Sequence, residues 1–260
     1  MRSSNPVLTR LTPGAAGPPT GAGPYGSEPY PGVVTAPAVA DRMTVDDVVV
    51  RTAGLLAVLG IAGAITWAIV PYSALTPVWI GGAVGGLILG LIIAFARVTN
   101  PAVILPYAAV EGIFLGAVSK AYNAWFEGIV LQAVFATFGI FFIMALLYKA
   151  RVIRATPRFV KYVMAAVVGA AAVVVLNLVL SLVFHINTHL RDGSPIAIGF
   201  SLLMIVLASL TFVVDFGQIE EGVQQGLPKK YAWLGAYGIL VSLVWLYLEI
   251  LRLLSYLRDD

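Results

Sequence analysis

No cysteine occurs among the 260 residues, which excludes disulfides, thiolate metal sites and cysteine nucleophiles. Charge is scarce as well: 11% of residues are Asp, Glu, Lys or Arg, against the ~25% usual in soluble domains. Histidine occurs only at His185 and His189, both in one connection. That placement leaves no pair of imidazoles on separate helices to ligate a haem, and no Ser/His/Asp set at a common depth. An enzyme is therefore not expected. No basic stripe with interleaved aromatics is present, so the net charge of +3 does not point to nucleic acid. What fills the chain is apolar: 60% of it is hydrophobic, with a mean hydropathy of +0.93. The composition is that of a polytopic protein with the lipid bilayer as its first partner.

Residues 1 to about 42 differ from the rest. Eight of the 15 prolines and six of the 26 glycines fall before Asp41, in runs such as GPYGSEPYPG. Such a segment buries too little apolar area to offset its chain entropy, and it lacks the apolar core of a signal peptide. It reads as a disordered Pro/Gly-rich cytoplasmic tail. Residues 43–260 then hold seven apolar segments, each near the ~20 residues that cross hydrocarbon. They lie at about 46–70, 77–96, 101–123, 128–148, 159–184, 195–219 and 231–257. Backbone groups in lipid must bond within the segment, so these are helices and the fold is all-α. With the N-terminus inside, twelve of the 16 Lys and Arg fall on the inner side, leaving Lys120, Arg191, Arg252 and Arg258 outside. This bias predicts a multi-pass protein of the cell membrane with a cytoplasmic N-terminus and an outer C-terminus. In the second segment, Gly82, Gly86 and Gly90 have small-xxx-small spacing, the mark of a closely approaching helix.

Acids inside such segments are costly and mark candidate sites. Glu111, in YAAVEGIFLG, lies about ten residues into the third segment, near mid-depth at ~1.5 Å per residue. It is either a neutral, hydrogen-bonded glutamic acid or a proton or cation site. Asp215, in LTFVVDFGQI, shares one face of the sixth segment with Thr211, Gln218 and Gly222, and that polar stripe should face the bundle. Arg97 ends the second segment at a depth matching Asp215 and is the first candidate for its counter-charge, the alternative being an arginine that only enforces orientation. Ser242 and Glu249 share a face of the seventh segment, and Glu249 has Arg252 at i+3 for a local ion pair. His185 and His189 have an H-x-x-x-H spacing but lead into a turn without a third ligand, so they read as a solvated loop.

The EGIFLG run from Glu111, the VVDFGQI run from Val213 and the LYLEILRLL run from Leu246, in this order across seven spans, resemble the Bax inhibitor-one family, also called the transmembrane Bax inhibitor motif family. The resemblance covers about residues 43–260. It implies a seven-transmembrane-helix bundle around a central C-terminal helix, acting as a pH-sensitive calcium leak channel or calcium/proton antiporter gated by two acids on the last two helices. By resemblance Asp215 is the sixth-helix acid, and Arg97 matches a basic residue that interacts with the pair. Matching LYLE gives Glu249 as the second acid; matching from the C-terminus puts Ser242 there. Two coupled carboxylates near a cation would titrate as a unit and latch two helices.

The resulting expectation is a protein that passes calcium, with protons as co-substrate or signal. Asp215 acts as gate and pH sensor with Arg97 and either Ser242 or Glu249, while Glu111 lines the path. Asp215 and Glu111 would touch the metal only weakly, because calcium prefers six to eight oxygen ligands and the spans offer few carboxylates. No resident cofactor is expected. The alternative is a membrane-embedded regulator that binds a membrane protease or another membrane-protein partner without transport.

Overall fold

The computed structural model describes residues 42–183 and 193–258. The proline-rich tail and the His185/His189 pair lie outside the described residues. Seven helices follow in order: α1 (Val45–Ile69), α2 (Leu75–Ala96), α3 (Pro101–Trp125), α4 (Ile129–Lys149), α5 (Pro157–Val183), α6 (Pro195–Gln224) and α7 (Ala232–Tyr256). All seven spans are long and apolar enough to cross a membrane. Among the described residues there is no strand, only an isolated bridge between Arg42 and Pro228. The protein is an all-α, multi-pass membrane protein.

Local chemistry sets the helix starts. Thr44 and Asp47 form a reciprocal capping box at α1, in which Asp47 N–H donates to Thr44 Oγ1 and Thr44 N–H donates to the Asp47 carboxylate. Asn100 and Ser194 cap α3 and α6, each followed by a proline at the first helical position, where no amide hydrogen is needed. The largest departure from the apolar segments is at the end of α6, which continues to Gln224 rather than stopping near residue 219. Hydropathy marks where the apolar run ends, not where the helix ends. Glu220 and Glu221 extend it with side-chain bonds from Gln224 and Gln225 one turn on. Gly226, with φ 66°, then closes it, and Leu227 N–H bonds back to Gly222 O.

Helix α3 is packed between α1 and α2, and glycine makes both approaches possible. A Cβ on Gly112 would strike the backbone carbonyl of Leu59, and one on Gly82 would lie 2.9 Å from Phe114 Cβ. Close packing without large side chains is the usual way helices associate where both lipid and helix surface are apolar. The last helix occupies the middle. In α7, 67% of the span is buried against α6, α1, α4 and α3, whereas in α5, which packs on α6, the value is 6%.

Two ends of the bundle differ in charge. At the end holding the start of α1, Lys229 pairs with Asp47 at 3.1 Å, and Lys149, Arg151 and Arg154 cluster at the end of α4 and just beyond it. At the opposite end, Lys120 Nζ donates to Trp67 O at 2.8 Å and Val70 O at 2.7 Å, tying α3 to the last carbonyls of α1. There too Arg258 reaches Glu127 O and Gln132 Oε1, both at 2.9 Å, and ties the end of α7 to the start of α4.

Candidate functional site

The contact between α6 and α7 contains a carboxyl, that of Asp215. Asp215 is half-buried between Val214 and Phe216, with Phe212 fully buried one turn before it. Gly238 leaves room for it on α7: a Cβ there would lie 3.3 Å from Asp215 Oδ1. One turn further along α7, the buried Ser242 donates a 2.6 Å hydrogen bond from Oγ to Asp215 Oδ2. Thr211, one turn before Asp215, has its Oγ1 3.1 Å from Ser242 Oγ and donates to Ala208 O at 2.6 Å. The side chains of Thr211, Asp215 and Ser242 thus join two antiparallel helices through an otherwise apolar interface. Of the sixth-helix stripe, Gln218 is exposed and Gly222 packs against Leu227 and Met43, so the polar part that faces α7 ends at Asp215.

A second acid approaches α7 from another side. Glu111 is buried in α3 beneath α2, where a Cβ on Gly86 would come 2.6 Å from Glu111 Oε1. Tyr107, one turn earlier on α3, lies against it. The rings of Tyr107 and Tyr237 meet edge to face with centroids 5.0 Å apart, and Tyr237 Oη donates to Gly90 O at 2.8 Å. Tyr237 and Gly238 are neighbours in sequence, so one turn of α7 faces both the Glu111 cluster and Asp215.

The remaining expected residues go elsewhere. Arg97 is exposed, and its side chain forms no hydrogen bond or ion pair among the described residues. It ends α2 with φ 48°, a left-handed turn into the α2–α3 connection, and is not brought to Asp215. Glu249 is buried but paired with Arg252 at 2.8 Å, the local i,i+3 alternative. Ser242 is therefore the residue of α7 that meets Asp215. Among the described residues no three Asp, Glu or His side chains converge on a metal position.

Sequence reasoning missed Gly238, Tyr237 and Tyr107. Gly238 had a readable signal, because Gly238 and Ser242 repeat on α7 the small-xxx-small spacing of α2. The two tyrosines had none, since a mid-helix tyrosine is as common in plain packing.

The family model described as Bax inhibitor 1 like matches residues 5–259 of the chain, including most of the proline-rich segment. No curated protein matches it.

Proposed function

Since the chain belongs to the Bax inhibitor 1 like family, we propose that it is a calcium leak channel or calcium/proton antiporter whose gate is the Asp215–Ser242 contact between α6 and α7. The observation that carries this reading is the 2.6 Å bond from Ser242 Oγ to Asp215 Oδ2 in the middle of an apolar helix interface. A hydroxyl binds an ionised carboxylate about twice as strongly as a neutral carboxyl. Ionised Asp215 therefore holds α6 to α7, and protonation weakens the hold. Acidification should open the interface and raise flux. Glu111, at the neighbouring turn of α7, is the second acid available to a passing cation. Calcium would meet these oxygens one or two at a time, which suits passage rather than storage.

The orientation that fits this reading places the Asp47/Lys229 end in the cytoplasm, by the distribution of Lys and Arg, in a cell membrane. The deciding experiment is calcium entry into proteoliposomes at acidic and alkaline pH, for wild type and Asp215→Asn. Wild-type flux should rise on acidification, and the variant, which carries a neutral side chain at every pH, should stay high and pH-independent. Identical flux and identical pH response in the two proteins would refute the gate.

A further inference from the structure

Two cavities lie end to end along the gap between α1 and α4. One, of about 580 Å³, has α7 as its floor through Leu243, Val244 and Tyr247. The other, of about 1100 Å³, opens at the end of the bundle that holds Lys149 and Asp47. Leu56 and Phe138 line both, so the two form one apolar groove. Its walls are helices of the lipid-facing surface, and its length and volume exceed what a small solute needs, since ligand pockets run to roughly 300–1,000 Å³. An acyl chain is the occupant that matches its chemistry.

The mouth of the wider cavity supplies the rest of the specification. One rim carries Lys149, Arg151 and Arg154, from the end of α4 and the following loop, and the other carries Glu220 and Glu221, from the last turn of α6. All five are exposed, and no ion pair crosses the mouth among the described residues. Neutral donors hold the carboxylates instead: Tyr148 Oη reaches across from α4 and donates to Glu220 Oε2 at 2.5 Å, and Gln225 Nε2, one turn along α6, donates to Glu221 Oε1 at 2.9 Å. Opposite charges that line one opening without pairing suit a headgroup that is itself dipolar. Arg and Lys bind a phosphate through charge-assisted bonds, and a carboxylate binds an ammonium in the same way. A purely anionic headgroup would satisfy the basic rim and face repulsion from the acidic one.

We infer that this groove is a binding site for phosphatidylethanolamine. Its phosphate lies at Lys149, Arg151 and Arg154, its primary ammonium at Glu220 and Glu221, and one acyl chain passes Leu56 and Phe138. This inference is independent of the flux reading above.

The test uses the full chain purified in a neutral detergent, with thermal unfolding and native mass spectrometry after addition of phosphatidylethanolamine, phosphatidylcholine or phosphatidylglycerol of identical acyl chains. A ligand that binds only the folded state raises its stability, and phosphatidylethanolamine should raise the midpoint by about 2–4 °C more than either other lipid. Glu220→Gln with Glu221→Gln should abolish the margin over phosphatidylcholine, whose quaternary ammonium donates no hydrogen bond. Arg151→Gln with Arg154→Gln should abolish retention of phosphatidylethanolamine. Should either charge variant fail to fold, Leu56→Trp, which narrows the groove away from the headgroup, should lower retention of phosphatidylethanolamine relative to wild type in native mass spectra. Equal or greater stabilisation by phosphatidylglycerol, or no difference among the three lipids, overturns the proposal.

Discussion

Asp215 meets a hydroxyl on α7, and the difference between a hydroxyl and a second carboxyl is a difference in how the contact titrates. Two facing carboxyls share a proton and respond as a coupled pair. Asp215 and Ser242 offer one titrating group, so the expected pH response of flux is a single shallow step. Ser242→Asp should steepen that response, as read from calcium flux across a pH series. Ser242→Ala removes the donor and should cost about 1–3 kcal/mol of stability, measured by unfolding in detergent. Arg97 calls for the opposite substitution. A non-glycine residue at φ 48° carries strain of order 1–3 kcal/mol, so Arg97→Gly should raise the unfolding midpoint. The chain order already implied the Ser242 pairing, because Asp215 and Ser242 lie at matching distances on either side of Pro228 in a tight antiparallel hairpin. Glu249 lies a further two turns away. Arg97 was misleading for a physical reason: matching depth fixes height in the bilayer but not the side of the helix from which a group approaches.

Helix boundaries were legible where hydropathy and capping agree, as at α1 and α3. They were not legible at α6, where the helix runs on past the apolar stretch on polar residues that favour helix. The α1–α3 contact shows what spacing can and cannot convey. Gly112 and Gly116 announce a close neighbour, but nothing in the pattern says that it is α1. Gly112→Leu should separate the two helices and lower the unfolding midpoint more than Gly139→Leu, since Gly139 faces open space. Lys120 is the polar counterpart at the other end of α1. Its ammonium satisfies carbonyls that the helix itself leaves without partners, and Lys120→Met should cost about 1.5–3 kcal/mol by the same unfolding assay.

For the molecule as a whole, the absence of cysteine turns from an exclusion into a tool. Single cysteines placed at Lys230 and at Arg258 will each be the only thiol present. With a membrane-impermeant maleimide on intact cells, Arg258→Cys should label and Lys230→Cys should label only after permeabilisation. The reverse result would invert the orientation. The central position of α7 has a further consequence, for biogenesis. The ribosome delivers the seven helices in chain order, and the one against which α1, α3, α4 and α6 pack arrives after them. Until then α6 is in the bilayer with Asp215 lacking its serine, and the polar cluster at Glu111 and Tyr107 lacks Tyr237. A nascent chain that stalls before α7 therefore displays acids within the membrane that the finished protein covers, a ready signal for quality-control proteolysis to distinguish the two.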